Sequence, residues 1–297
     1  MPSVEICDVG PRDGLQNHPV LLAPAARAVL CDRLAAAGLS RIEAASFVQP
    51  KLVPAMAGAA EVLAAVRRSD SIIYAALVLN RRGLDDALAA GADAIHVTYA
   101  LSDTFGRRNQ NRTVEEGAAA AAAIIALARA AGRPARAILS VAFGCPFEGP
   151  VAPGHVIDHV GRMAAAGADA VVLGDTIGIG VPTQVRDLVS AALAVSSGPV
   201  GLHLHNTRNT GYANAVAGFE AGASIFDASV GGLGGCPFAP NATGNIATED
   251  LVYLFERMGI ATGIDLDALI ATATWLGREL GERLPGLVHR VDPPAGG

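Results

Sequence analysis

A single closed (β/α)₈ barrel, the TIM-barrel fold, is the architecture that this sequence predicts, on three observations. Short β-rich runs alternate eight times with Ala- and Leu-rich amphipathic runs along 297 residues. One phrase recurs ahead of every second predicted strand. The unusual polar residues gather at the C-terminal ends of the strands, where barrels of this kind carry their chemistry.

The predicted strands lie near 3–8, 41–45, 71–79, 94–100, 135–142, 170–175, 199–205 and 224–230. Helical patterns lie between and after them, near 24–37, 55–68, 82–90, 114–131, 154–166, 182–196, 210–221 and 247–257. Eight strand–helix pairs in this length favour a closed parallel barrel over an open doubly wound sheet. The recurring phrase is Ala37-Gly38-Leu39-Ser40-Arg41-Ile42, with variants Ala90-Gly91-Ala92-Asp93-Ala94-Ile95, Ala166-Gly167-Ala168-Asp169-Ala170-Val171 and Ala221-Gly222-Ala223-Ser224-Ile225-Phe226. In each the glycine is expected to end a helix in a left-handed cap before a tight loop and a buried strand. Any α/β protein can use such loops, so the strand count carries more of the argument. The barrel is expected over about 3–258, with an extension over 259–284 whose helix, 265–284, packs outside it. The tail, 285–297, is expected to fray. No linker divides the chain, so 1–297 reads as one catalytic domain.

Composition narrows the function. A net charge of −6 and the lack of a long basic stripe argue against a nucleic-acid partner. Cys7, Cys31, Cys145 and Cys236 are far apart and form no Cys-x-x-Cys pair, the usage of a reducing compartment. Residues 1–8 carry Glu5 and no apolar core, so no secretory signal is expected. The apolar run 117–131 is Ala-rich and interrupted by Arg129, unlike a membrane span. A soluble cytoplasmic protein with no membrane partner is the expectation.

The polar residues point to a metal. Strand one runs into Gly10-Pro11-Arg12-Asp13-Gly14, strand two carries Glu43 and then Ser46, and strand six ends Leu173-Gly174-Asp175-Thr176. Strand seven ends His203-Leu204-His205-Asn206, and strand eight runs into Gly234-Gly235-Cys236-Pro237 and on to Gly244-Asn245. Residues i and i+2 of a strand share a face, so His203 and His205 can offer two imidazole nitrogens to one ion. Alone, such a pair is as often structural. At the end of an apolar strand, with acids at neighbouring strand ends, it reads as a ligand pair. Asp13 supplies the carboxylate and an amide oxygen such as that of Asn245 completes a mixed N/O set. That set suits Mg²⁺ or Mn²⁺ with positions open to substrate, and Zn²⁺ or Co²⁺ is compatible with it. One carboxylate against a dication leaves the site positive and fit for an anionic ligand. Arg12 adds a second cation there, or pairs with Asp175 or Glu43; the two roles are compatible.

Cys236 stands in the glycine-rich run Gly231-Gly232-Leu233-Gly234-Gly235. A thiol on such a loop is accessible, and at its ordinary pKa of about 8.5 it is mostly protonated and able to act as a general acid. Cys145, in Gly144-Cys145-Pro146-Phe147, reads as a structural turn, and Cys7 and Cys31 read as core. The glycine loop lacks the Lys-Ser/Thr and spacing of a phosphate-binding loop.

These residues resemble those of the 3-hydroxy-3-methylglutaryl-CoA lyase family. The runs are Val9-Gly10-Pro11-Arg12-Asp13-Gly14-Leu15-Gln16-Asn17, Glu43-Ala44-Ala45-Ser46-Phe47-Val48, Gly144-Cys145-Pro146-Phe147-Glu148-Gly149, Gly174-Asp175-Thr176-Ile177-Gly178 and Gly232-Leu233-Gly234-Gly235-Cys236-Pro237-Phe238. A further one is Thr243-Gly244-Asn245-Ile246-Ala247-Thr248-Glu249-Asp250-Leu251-Val252-Tyr253, so the match spans nearly the whole chain in order. The resemblance implies a Mg²⁺ or Mn²⁺ lyase that cleaves a tertiary 3-hydroxyacyl-CoA to acetyl-CoA and a keto acid. It implies Asp13, His203, His205 and Asn245 as metal ligands. Arg12 would steady the enolate oxygen, Cys236 would be the catalytic thiol, and Glu43 and Asp175 would be acids beside the metal. His203 or Asp175 would take the hydroxyl proton. In Arg107-Arg108-Asn109, Asn109 would approach the CoA moiety and the arginines would be solvated surface charge.

The chain departs from the family in two motifs. The family phrase His-x-His-Asp-Thr-Tyr-Gly is here His203-Leu204-His205-Asn206-Thr207-Arg208-Asn209, and His18 replaces an acidic residue. Asn206 removes a carboxylate that could orient a metal-bound histidine. Arg208 brings a cation toward the mouth. The acyl group is therefore less determined than the metal-dependent cleavage. The rival readings are a Claisen-condensing synthase or pyruvate-releasing aldolase of the same superfamily, and a barrel that binds CoA esters without turnover. The first would not be expected to carry the Gly-Gly-Cys-Pro-Phe loop, and the second would not need Arg12, Asp13, Glu43 and Cys236 together. An apolar exposed face on the C-terminal helix suggests a homo-oligomer, a dimer in particular.

Overall fold

The computed structural model describes residues 2–235 and 243–291. Eight strands close into one parallel barrel in sequence order: β1 (Glu5–Asp8), β2 (Arg41–Ser46), β3 (Ile73–Val78), β4 (Ala94–Ala100), β5 (Ala135–Ser140), β6 (Ala170–Asp175), β7 (Val200–Leu204) and β8 (Ile225–Ala228). The helices are α1 (Pro24–Ala36), α2 (Ala59–Ala65), α3 (Arg81–Ala89), α4 (Asp103–Gln110), α5 (Val114–Ala130), α6 (Pro153–Ala165), α7 (Pro182–Val195), α8 (Gly211–Glu220), α9 (Thr248–Arg257) and α10 (Leu266–Leu280).

Local chemistry starts and stops these elements. Proline opens α1, α6 and α7, where its missing N–H has no intrahelical partner to lose. Thr113 and Glu116 form a reciprocal capping box at the start of the Ala-rich α5. The glycines of the recurring phrase, Gly38, Gly91, Gly167 and Gly222, all have φ between 77° and 103°, the left-handed stop expected of them.

Two differences from the sequence expectation stand out. The pattern over 55–68 is a 3₁₀ turn (Pro54–Met56) followed by the short α2, because Gly58 adopts φ 72° between them. Helix α4 was not foreseen; Ser102 caps it, accepting a hydrogen bond from Phe105 N, and its charged, apolar-poor sequence hides the helical period.

The strands have two unlike faces. Ile42, Tyr74, Ile95, Leu139, Val171, Leu202 and Phe226 are buried beneath the helices. The face turned into the barrel mixes aliphatics such as Ile138 and Val172 with an unusual number of buried polar groups. Near the floor, Glu5 of β1 accepts both terminal nitrogens of Arg136 on β5 at 2.6 and 2.9 Å and lies 3.2 Å from Arg41 of β2. Glu43, His96, His203 and Asp227 stand above, all buried. Cys7 and Cys31 are fully buried, as expected, and the Cys145 turn is closed by paired backbone hydrogen bonds with Gly149.

The C-terminal segment makes contacts that the sequence reading did not include. Helix α10 ends at Leu280 with Gly281 at φ 70°, and its apolar face is buried, with Trp275 packed under the Arg33 guanidinium of α1. No large hydrophobic side chain of α10 is among the exposed ones of the described residues, so the apolar face behind the dimer expectation is already covered. Within the tail expected to fray, residues 286–289 are hydrogen-bonded to the rest of the chain, and 292–297 lie outside the described residues. Gly286 N donates to Gly231 O at 2.7 Å, Leu287 and Val288 donate to Asp250, and His289 Nδ1 lies 2.7 Å from Glu249 Oε1. Leu287 and Val288 bring backbone donors, and His289 a ring nitrogen, to buried carboxylates, pairings which no hydropathy pattern discloses.

Candidate active site

The last residues of β7 and the turns after β1 and β8 build one cluster at the barrel mouth. Asp13, His203 and His205 each bring a ligand atom within 4.8 Å of the others, and no other such trio occurs among the described residues. His203 Nε2 and His205 Nε2 are 3.3 Å apart. Asn245 pairs with His205 in an isolated antiparallel bridge and donates through Nδ2 to Asp13 Oδ2 at 2.8 Å and to Leu233 O at 3.0 Å. Its Oδ1 is buried without a hydrogen-bond partner among the described residues.

This donor set fits a divalent cation. Two imidazole nitrogens facing each other at hydrogen-bond distance, a carboxylate beside them and an orphaned buried amide oxygen are a costly arrangement without a shared partner, and a natural one for an N/O-ligated ion. The titration preferences agree. Burial works to raise the Asp13 carboxyl, but the charges of Arg12, His203 and His205 override it and hold it at about 2. Burial, reinforced by the His203 charge, pushes His205 down to about 3, leaving a neutral ring with a free lone pair.

The sequence missed the partner behind His203. Its Nδ1 lies 3.3 Å from Asp227 Oδ2 on β8, so a carboxylate orients this ring although Asn206 cannot. Burial works to lower the His203 pKa, and the Asp227 contact with the Asp13 charge raises it on balance. One nitrogen is given to the cluster and one to Asp227. His203 can therefore ligate an ion or accept a proton through Nε2, but not both at once.

Arg12 is 8% exposed and shared between two carboxylates: Nε contacts Glu43 Oε1, and Nη1 donates to Asp13 Oδ1 at 2.6 Å. Of the two pairings open to it from sequence, Glu43 is the one formed. Glu43 Oε2 in turn lies 2.5 Å from His96 Nδ1. Asp8, also unforeseen, accepts from Gly10 N, Val230 N and the Thr248 hydroxyl, tying the turn that bears Asp13 to the segment leading to Asn245.

Asp175 is placed differently from an acid beside the metal. Its oxygens accept from Ile179 N at 2.9 Å and Gly180 N at 3.0 Å, so the carboxylate organises its own loop, and it does not join the cluster of Asp13, His203 and His205. Asn109 is exposed on α4, where the neighbouring Arg108 stacks 4.2 Å over the Phe147 ring. Cys236 lies outside the described residues. The base of its loop is anchored, because Leu233 O accepts from Asn245 and Gly235 O from Asn17. Of the departures, Arg208 is exposed and donates to Ile177 O and Gly178 O, fastening the β6 loop, and His18 lies 3.2 Å from Glu282.

Glu43 links this site to stability. Burial works to raise its pKa, but the Arg12 charge and the His96 contact hold it at about 2, below the ordinary 4.5. A carboxyl depressed in the folded state stabilises the fold above its unfolded pKa and loses that contribution as pH falls through the folded one. The metal-free protein should lose on the order of 3 kcal/mol from this group as pH falls from about 4.5 to about 2. Denaturant midpoints measured across this range should fall less steeply in Glu43→Gln; an equally steep fall would remove Glu43 from the acid response.

An eight-stranded parallel barrel with a His₂Asp cluster and a buried arginine at its mouth has the layout of a barrel lyase, and comparison with known proteins agrees. The HMGL-like family profile matches residues 3–276. The chain is 46% identical to an (R)-citramalyl-CoA lyase of Chloroflexus aurantiacus, over 99% of this chain and 96% of that one. It is 41% identical to the hydroxymethylglutaryl-CoA lyase YngG of Bacillus subtilis, over 95% of each. The solved structure of an HMG-CoA lyase from Acinetobacter baumannii, in complex with coenzyme A and 3-methylmalate, superposes with a TM-score of 0.94 at 38% identity, covering 99% of this chain and 96% of that one. The chain belongs to the HMGL-like family. It is a lyase, hydroxymethylglutaryl-CoA lyase-like in sequence and fold. No helix among the described residues is long and apolar enough to cross a membrane.

Proposed function

We infer that the chain is a divalent-metal-dependent lyase that cleaves a tertiary 3-hydroxyacyl-CoA to acetyl-CoA and a keto acid by retro-Claisen cleavage. The observation that carries this is the convergence of Asp13, His203, His205 and Asn245 with Arg12 at one mouth. Those four residues would hold Mg²⁺ or Mn²⁺, which when bound polarises the oxygen of the tertiary hydroxyl. Arg12, locked by two carboxylates, presents fixed positive charge to the thioester oxygen as enolate character develops there. Asp227 holds the His203 ring with Nε2 toward the other proposed ligands, so the proton of the polarised hydroxyl would leave to solvent at the barrel mouth. Cys236 would donate the proton that converts the enolate carbon to the methyl group of acetyl-CoA.

A CoA thioester as substrate is supported by the coenzyme A held by the A. baumannii relative. The names of the relatives offer two acyl groups, hydroxymethylglutaryl and citramalyl, which differ by one methylene between the carbinol carbon and the distal carboxylate. Identity of 46% against 41% favours citramalyl-CoA, which would yield pyruvate beside acetyl-CoA. A pocket separates substrates differing by one methylene by roughly 10–200-fold in kcat/KM, so both should turn over, with citramalyl-CoA the better. The test is acetyl-CoA release from both thioesters by purified protein with Mg²⁺ or Mn²⁺. Consumption of acetyl-CoA with a keto acid would instead mark a synthase, and inactivity on the whole panel a binding module.

The thiol has its own test. Cys236→Ala should lower kcat on the order of 10²-fold or more while bound metal is retained. Near-full turnover in this variant would remove the thiol from the proton transfer.

A further inference from the structure

We propose that His96 is a positioning residue of this site, acting through Glu43 to keep Arg12 from collapsing onto Asp13. The proposal rests on the lyase reading for what Arg12 does, but its geometry stands independently of it.

His96 sits within β4, one of whose faces, Ile95, Val97 and Tyr99, is buried in the apolar core. It points the other way, into the barrel, and is 2% exposed. Its Nδ1 lies 2.5 Å from Glu43 Oε2, while Nε2 is buried without a hydrogen-bond partner among the described residues. A buried ring with one nitrogen unsatisfied is costlier than the aliphatic side chain that usually fills a barrel interior. If His96 merely filled space, an apolar residue would do so at lower cost. What the histidine adds is one N–H aimed at Glu43.

That N–H decides the orientation of a shared cation. Glu43 uses one oxygen for His96 and the other for Arg12 Nε, so its carboxylate plane is held at both ends. Arg12 Nη1 already reaches Asp13 Oδ1 at 2.6 Å. With the His96 end released, Glu43 can turn about its terminal torsion and loosen its hold on Nε. Arg12 is then free to close on Asp13. A fuller Arg12–Asp13 pair would misplace the guanidinium and compete for the sole carboxylate of the proposed ligand set. Neither His96 nor Glu43 is among the ligand groups, so the effect reaches the site only through Arg12.

Two substitutions separate this role from packing. His96→Leu keeps an apolar side chain of similar reach and removes the donor, and His96→Asn places an amide N–H near the position of Nδ1. On the thioester substrate, His96→Leu should lower kcat on the order of 10²-fold with little change in KM, the signature of a misplaced group. Its Mn²⁺ dissociation constant, read by electron paramagnetic resonance of free Mn²⁺, should rise roughly 10-fold, the scale on which outer partners tune a metal site. His96→Asn should restore both. Wild-type kcat in His96→Leu overturns the proposal, and so does an equal loss of kcat in both variants, which would mark a packing role. If the wild-type protein cleaves no 3-hydroxyacyl-CoA, the lyase reading fails by itself. The Mn²⁺ measurement then decides alone: weakening in His96→Leu with recovery in His96→Asn supports the proposal, and any other pattern overturns it.

Discussion

Replacing His205 with alanine is expected to strip the divalent cation from the protein and lower turnover by at least about 10³-fold, since a Lewis acid contributes several kcal/mol to such a transition state. His205 is 3% exposed, and its Nε2 faces His203 Nε2 at 3.3 Å, so its ring is fixed toward the proposed ion. The ring is held neutral, ready to ligate rather than to carry charge. Asn245 is bridged to residue 205 by backbone pairing that does not need the imidazole, so the substitution should leave it in place. Elemental analysis of the purified variant should find less metal than in the wild-type protein, and thermal unfolding should stay cooperative. A variant that keeps both metal and turnover would remove His205 from the ligand set. Chelation of the wild-type protein should reproduce the loss, and Mg²⁺ or Mn²⁺ should reverse it.

The second large effect belongs to Arg12. Arg12→Gln should lower kcat by roughly 10²–10³-fold, the usual consequence of losing one donor aimed at a developing oxyanion. Bound metal should remain, because Asp13, His203, His205 and Asn245 are all intact. Arg12→Lys should not rescue the activity. The guanidinium meets Glu43 through Nε and Asp13 through Nη1, and a single ammonium cannot span both. Removing Arg12 also leaves Glu43 buried beside only His96, so part of any loss could come from a weakened fold. The double variant Arg12→Gln/Glu43→Gln removes that stranded charge. If it regains turnover, Arg12 serves stability and not the enolate. If it stays inactive while folded and metal-loaded, the catalytic role stands.

How much of this site could be read from the sequence depended on distance along the chain. His203 and His205 were legible because a strand has period two, so spacing alone puts both rings on one face. The eight-strand count and the recurring Ala-Gly phrase were legible for the same reason: each is a local pattern written within about ten residues. Asp13 and Asn245 were picked by donor type at other strand ends and again through family resemblance, and they meet across 232 positions. His96 and Asp227 were missed outright. Nothing local says that Asp227 stands in register beside His203 on the neighbouring strand, or that His96 reaches Glu43 past β3. Asp175 shows the reverse case, where a residue at the right strand end spends its carboxylate on its own loop.

The tail and the departures follow the same logic. Residues 285–291 have no helical or strand period, yet backbone donors there find Asp250, and His289 finds Glu249. Arg208 reads as a cation near the mouth, and the structure commits it to the carbonyls of Ile177 and Gly178.

By itself, then, this sequence determined the class of fold, the face on which two histidines stand and the family to which the chain belongs. Those follow from period, turn chemistry and motif, which are properties of neighbouring residues. Only the tertiary structure decided which carboxylate holds Arg12, which orients His203, and that His96 stands behind Glu43. Those are pairings between inward-facing side chains of neighbouring or next-but-one strands, whose register only the closed barrel sets.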